Sequence, residues 1–212
     1  MNDSASLAHD DRRWTNPFSA ERIRPGAIEY VFSPGIDAET LVGRLKAAEW
    51  RGQIVGPHGT GKSSLLCALS DSLVAAGRVV YRFNQHDRQR RLSREDLRQV
   101  DWTDRTLIVV DGYEQLGRWS RLWLDLRCRW SSAGLLVTSH TDVGLATLFT
   151  TQPSFELFEQ LVGRLAAGFP VLLTSDDLRE SWSRSPDNLR EALFSLYDRY
   201  ELHRRRPNST TT

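Results

Sequence analysis

With 212 residues, the chain is long enough for one domain with a full hydrophobic core, or for one domain and a small appendage. Its 28 basic and 27 acidic residues leave a formal charge of +1, so global charge points to neither nucleic acid nor a membrane surface as partner. No apolar run approaches the roughly 18 residues of a membrane span, and Met1 to Arg13 lacks the apolar stretch of a signal peptide, so a soluble, cytoplasmic protein is expected.

Residues 1–13 are polar and read as a disordered tail. Between Asn16-Pro17-Phe18 and Pro34-Gly35, turn residues are interspersed with Phe18, Ile23, Ile28, Tyr30, Val31 and Phe32, which predicts an extended arm lying on the core. Ala38 to Trp50 reads as an amphipathic helix with Leu41, Leu45 and Ala48 on one face. Gln53-Ile54-Val55 is a short buried strand.

The next eight residues, Gly56-Pro57-His58-Gly59-Thr60-Gly61-Lys62-Ser63, fit G-x-x-x-x-G-K-[ST], the loop that wraps a nucleoside triphosphate. The residue types follow from the chemistry. Glycines let successive backbone N–H groups turn inward around the β-phosphate. Lys62 can reach the β- and γ-phosphates as a point charge, and the Ser63 hydroxyl can ligate Mg²⁺. Ser64 opens an apolar helix, Ser64-Leu65-Leu66-Cys67-Ala68-Leu69, whose dipole adds positive potential at the phosphates. The chain has two lysines, Lys46 and Lys62, and one of them is this phosphate lysine. The helix runs to about Ala76 and stops at Gly77. Cys67 here and Cys128 further on, with no partner nearby in sequence, read as buried free thiols in a reducing compartment.

Arg78 to Phe83 is the next strand. The segment 85–98 carries Arg88, Arg90, Arg91, Arg94 and Arg98 without interleaved aromatics, and reads as a solvated loop and helix face. Thr106-Leu107-Ile108-Val109-Val110 is a continuous apolar run typical of a central parallel strand, and it ends at Asp111. A helix over roughly 115–130 has Leu116, Trp119, Leu122, Trp123, Leu126 and Trp130 spaced for packing, and core is the expected place for that stripe. Gly134 to Thr138 and Ala146 to Phe149 read as two more strands, and 154–166 as a helix. Ser175 to His203 holds two helical patterns, the first capped by Ser175 or Asp176 and the second by Asp187 or Asn188. Residues 204–212 read as a second disordered tail.

Strands alternating with helices predict an α/β fold, a three-layer sandwich around a mostly parallel sheet, with ligands at the carboxyl ends of the strands. The phosphate loop, Asp111 and Thr138 all fall at such ends. Asp111 is placed to orient Mg²⁺. Gly112 stands where a catalytic glutamate would directly follow it, and Glu114 is the nearest carboxylate, with Gln115 beside it. Thr138-Ser139-His140 puts polar groups on the γ-phosphate side, where Thr138 or Ser139 would bond the attacking water or a γ-oxygen.

Val55 to Leu66, Leu107 to Leu116 and Leu135 to His140 together resemble an AAA+ or STAND-type P-loop ATPase. Asp111-Gly112-Tyr113-Glu114-Gln115-Leu116 is similar to the Asp-Gly-hydrophobe-acid-acid pattern of NACHT-like members, with Gln115 in place of the second acid. Leu136 to His140 is similar to their sensor strand, with His140 where an arginine often stands. Asp187 to Leu193 resembles the second-sensor helix of an AAA+ lid, and the resemblance implies that Arg190 reaches the γ-phosphate. The organisation expected is an N-terminal tail and arm (1–37), a P-loop NTPase core (38–172), a small C-terminal helical lid (173–203) and a tail (204–212).

The functional expectation is an ATP-binding, Mg²⁺-dependent ATPase acting as a switch, with a protein partner or a second copy as its reader. ATP is favoured over GTP because no Asn-Lys-x-Asp guanine-reading motif is present. Arg118, Arg121 and Arg127 are candidate arginine donors to a neighbouring subunit's site. A non-hydrolysing interaction module using the Trp119, Trp123 and Trp130 face is the alternative, and a small-molecule phosphotransferase is a weaker third reading. A nucleic-acid partner is a minority option resting on the Arg-rich loop and tail.

Overall fold

The computed structural model describes residues 16–85 and 90–205. The tail assigned to residues 1–13, residues 206–212 of the tail assigned to 204–212, and Arg88 of the charged segment lie outside the described residues. Arg204 and Arg205, read as tail, end a helix instead. Residues 16–29, 59–61 and 152–205 form one compact unit, and 30–58, 62–85 and 90–151 form another.

The larger unit is built on a five-stranded sheet. β1 (Arg51–Val55), β2 (Val79–Asn84), β3 (Thr106–Asp111), β4 (Gly134–Ser139) and β5 (Ala146–Thr150) lie in the order β2-β3-β4-β1-β5. Every pairing is parallel. β3 and β4 are buried at every position, which is why their sequences are unbroken apolar runs rather than alternating ones. Alternation still decides the face. Leu107, Val109 and Leu136 pack with α2 (Ala38–Ala47) and α3 (Lys62–Ala75) through Leu41, Leu45, Leu65 and Leu69. Ile108, Val110, Leu135 and Val137 face the other way, toward Leu124 and Cys128. The result is the expected three-layer α/β sandwich of a P-loop NTPase. The register places Asn84 opposite Asp111, and Val55 opposite Ser139 and Thr150, so these strand ends share one edge of the sheet.

Charged residues Arg90, Arg91, Arg94 and Arg98 are exposed around the short helix α4 (Arg94–Arg98), as a solvated face should be. The Trp stripe is a correction. A 3₁₀ turn (Tyr113–Gln115) precedes α5 (Arg118–Trp130), and α5 buries only Leu124 and Cys128 of its own residues. Trp119 and Trp130 are 84 % and 85 % exposed, and Leu122, Trp123 and Leu126 lie near half exposure. The helix docks on the narrow face set by the i, i+4 pair Leu124 and Cys128, so the larger apolar residues point away from the sheet. Both cysteines are free; Cys128 is buried, which pushes its thiol up to about 12, and Cys67 is half-buried.

The smaller unit holds α1 (Ala20–Ile23), α6 (Phe155–Ala166), α7 (Ser175–Arg184) and α8 (Leu189–Arg205). Phe18, Phe158, Val162, Leu165, Leu189, Leu193, Leu196 and Tyr200 form its core, with Phe18 edge-on to Tyr200 at 6.1 Å between ring centroids. Helix α6 therefore packs with the C-terminal helices, whereas the expected boundary at 172–173 grouped it with the sheet. The arm is divided: Phe18, Ile23 and Ile28 join this core, while Tyr30 and Phe32 pack on the sheet unit. Thr174, one residue before the expected caps, makes a reciprocal capping box with Asp177 at α7. Asn188 caps α8 by accepting from Glu191 N at 3.2 Å.

Candidate functional site

The loop after β1 is tied to the sheet before it turns. Gly56 N donates to Ser139 O at 3.2 Å, and a Cβ on Gly56 would lie 2.0 Å from Thr151 Oγ1 and 2.6 Å from Thr151 O. Only glycine fits there. Gly56→Ala is expected to lower stability by about 1–3 kcal/mol in urea denaturation, as overpacking against backbone does. Gly59 and Gly61 take φ of +70° and +94°, the left-handed conformation that the nest reading of this loop requires. Thr60 is buried, Pro57 and His58 are exposed, and Ser63 and Ser64 are half-buried in the first turn of α3.

Lys62 is buried at the start of α3, and its ammonium donates to Gly56 O and Pro57 O, both at 2.6 Å. Its Nζ also lies 3.3 Å from His140 Nδ1. The loop thus holds its own cation on backbone carbonyls at its mouth. His140 continues the chain of contacts: its Nε2 is 2.8 Å from Glu114 Oε1, and its ring lies against that of His58, tilted by 42° with centroids 3.4 Å apart. Burial, followed by the Lys62 charge, lowers the His140 pKa, outweighing the pull of Glu114 in the other direction. His140 is therefore neutral at pH 7. Nε2 faces the Glu114 carboxylate, while Nδ1 lies between Lys62 Nζ and Gly56 O, at 3.3 and 3.2 Å.

A histidine depressed in the folded state takes up its proton later than in the unfolded chain. Stability should be level above the ordinary value of about 6.5 and should fall as pH drops from there toward the lowered folded value. Urea titrations between pH 5 and pH 8 (about one and a half units either side) check this; His140→Gln should flatten the slope.

Asp111 ends β3 with both carboxylate oxygens engaged. Oδ1 accepts from Thr138 Oγ1 at 2.6 Å, and Oδ2 pairs with Arg82 Nη2 at 3.3 Å. Thr138, fully buried, also accepts from Gly112 N at 2.9 Å. Its hydroxyl is used in both directions to fix Asp111, whereas the sequence pointed to a water or a γ-oxygen as its partner. Ser139 Oγ accepts from Thr141 N at 3.3 Å. Gly112 adopts φ +83° and turns the chain into the 3₁₀ segment, which brings Glu114 to His140. Glu114 Oε2 is buried and has no hydrogen-bond partner among the described residues. Gln115 Nε2 donates to Gln85 O at 3.1 Å, so it braces the neighbouring strand end.

Arg121 donates to the Glu114 and Leu116 carbonyls, and Arg127 lies over Trp102, which leaves Arg118 as the exposed arginine of the three proposed donors. Arg190 is exposed in the first turn of α8, and its backbone N lies 3.3 Å from Gly59 O within the helical unit. Two participants were missed by sequence reasoning. Arg82 interrupts an otherwise apolar strand, a signal that was available, and Gln85 is buried just beyond β2 with its Oε1 lacking a partner among the described residues. Among the described residues no helix is long and apolar enough to cross a membrane.

No protein-family model and no curated sequence matches the chain. Solved structures do. A RuvB variant from Thermotoga maritima superposes with a TM-score of 0.54 at 14 % identity, over 77 % of this chain and 60 % of its own. NtrX from Brucella abortus in complex with ATP gives 0.53 at 12 % identity, over 86 % of this chain and 52 % of its own. A second NtrX structure gives 0.52 at 12 % identity, over 98 % and 56 %. The chain thus spans between half and three fifths of the length of these proteins. The likeness concerns architecture alone: the parallel-sheet α/β fold of P-loop NTPases.

Proposed function

We propose that the protein binds ATP with Mg²⁺ and hydrolyses it as a nucleotide-driven switch. The observation that carries this reading is the loop 56–63, anchored on the sheet at Gly56 and presenting a buried Lys62 at the strand ends where Asp111 and Glu114 also lie. Backbone amides of 59–63, with Ser64 continuing the helix, would cradle the phosphates, and Lys62 would exchange its two carbonyls for phosphate oxygens. The NtrX complex with ATP shares this fold at 12 % identity and supports the choice of nucleotide.

The donor set fits Mg²⁺. A serine hydroxyl at the helix start and a strand-end carboxylate are hard oxygen ligands, and such an ion keeps waters and phosphate oxygens for its remaining positions. Ser63 and Asp111 would hold it. When bound it neutralises charge on the phosphates. The protein's own part is positional: Thr138 fixes the orientation of Asp111, and Glu114 would turn toward a water the oxygen that is buried without a partner among the described residues. Glu114 would take the proton of that water, while neutral His140 holds its other oxygen. Arg190 would add positive charge toward the γ-phosphate, which rests on the AAA+ resemblance.

The exposed Trp119, Trp123 and Trp130 favour a second reading, an interaction module in which nucleotide stabilises the fold and turnover is slow or absent. Phosphate release with Mg-ATP, with Lys62→Ala as the control, separates the two. Release lost in the control supports the ATPase, while ATP binding without release supports the module.

A further inference from the structure

Arg82 is the cation that pairs with Asp111 among the described residues. It is built into place rather than loosely attached. Parallel register sets Arg82 beside Val109 and Asn84 beside Asp111, so Arg82 and Asn84 share a sheet face with the carboxylate. That face meets α3, where Ser63 and Cys67 lie one turn apart. The guanidinium reaches all of them: Nε donates to Asn84 Oδ1 at 3.1 Å, Nη1 to Cys67 Sγ at 3.1 Å, and Nη2 to Ser63 O at 3.4 Å and Asp111 Oδ2 at 3.3 Å. Thr138 already covers Oδ1, so Oδ2 is the oxygen left to address a metal, and the guanidinium stands against it.

We propose that Arg82 is an internal counter-cation at the metal position, which Mg²⁺ must displace from Asp111, so that Arg82 sets how strongly Mg²⁺ promotes nucleotide binding. The inference rests on the ATP-binding reading and adds the site's metal dependence. The cause is electrostatic. A guanidinium and a divalent ion cannot both sit against one carboxylate oxygen without repulsion. At about 5 Å, even with the dielectric of water, that repulsion corresponds to roughly tenfold in affinity. The sign separates this role from a merely structural one. An arginine that only braced Asp111 would, on removal, loosen the carboxylate and weaken Mg²⁺ dependence.

The test is calorimetric binding of ATP in EDTA and at a series of free Mg²⁺ concentrations, for the wild type, Arg82→Gln, Arg82→Lys and Lys62→Ala. The ratio of affinity with Mg²⁺ to affinity without it should rise about tenfold in Arg82→Gln and stay near the wild-type value in Arg82→Lys, which keeps the charge. Arg82→Met serves as a second neutral variant should Arg82→Gln not fold. An unchanged or lower ratio in the neutral variants, with Lys62-dependent binding by the wild type, overturns the role of Arg82 alone. No ATP binding by the wild type in either condition overturns the nucleotide reading and this inference with it.

Discussion

Lys62→Ala should lower ATP affinity by at least about a hundredfold while the chain stays folded. In the proposed complex the ammonium would be the charge that the loop carries to the β- and γ-phosphates, and each charge-assisted hydrogen bond contributes about 1.5–3 kcal/mol. Two of them account for the expected loss. The folded state tolerates the change because the carbonyls that Lys62 now engages, Gly56 O and Pro57 O, belong to a loop fixed by other bonds, among them Gly56 N to Ser139 O. Calorimetry with Mg-ATP measures the loss, and thermal denaturation confirms the fold. Wild-type affinity in the variant would remove the loop from the account.

Glu114→Gln should cut hydrolysis by about a hundredfold or more and leave ATP affinity within about twofold, since general-base catalysis contributes factors of this size. Glutamine keeps an oxygen for His140 Nε2, so the 2.8 Å contact survives, but it loses the basic carboxylate whose second oxygen is buried without a partner among the described residues. Single-turnover phosphate release reads the chemical step directly. An unchanged rate would place the base elsewhere, or in a partner.

That a glycine turn would follow β1 and that Asp111 would close β3 were legible in the sequence, because glycine spacing and the apolar runs before them mark strand ends. The parallel sheet was legible too, since β3 and β4 are buried on both faces and leave no alternation to misread. What escaped was set by long-range packing. Thr138 and Asp111 meet only because β3 and β4 are neighbours, so a threonine read as facing substrate turns out to orient a carboxylate. Arg82 meets Ser63 and Cys67 only when β2 is laid beside β3 and α3 covers that face. The Trp-rich helix misled for a related reason. Its spacing allowed two faces, and size favoured the tryptophans, yet Leu124 and Cys128 proved to be the ones the sheet accepts. Helix α6 carried no signal of which core it would join until Phe158 and Val162 were found packed with Phe18 and Leu196.

The central claim is that the loop 56–63 is where this protein holds a nucleotide. Amide hydrogen exchange with and without Mg-ATP tests it most directly. The account predicts protection concentrated in residues 59–64 and absent in Lys62→Ala; exchange in that segment left unchanged by saturating Mg-ATP would contradict it.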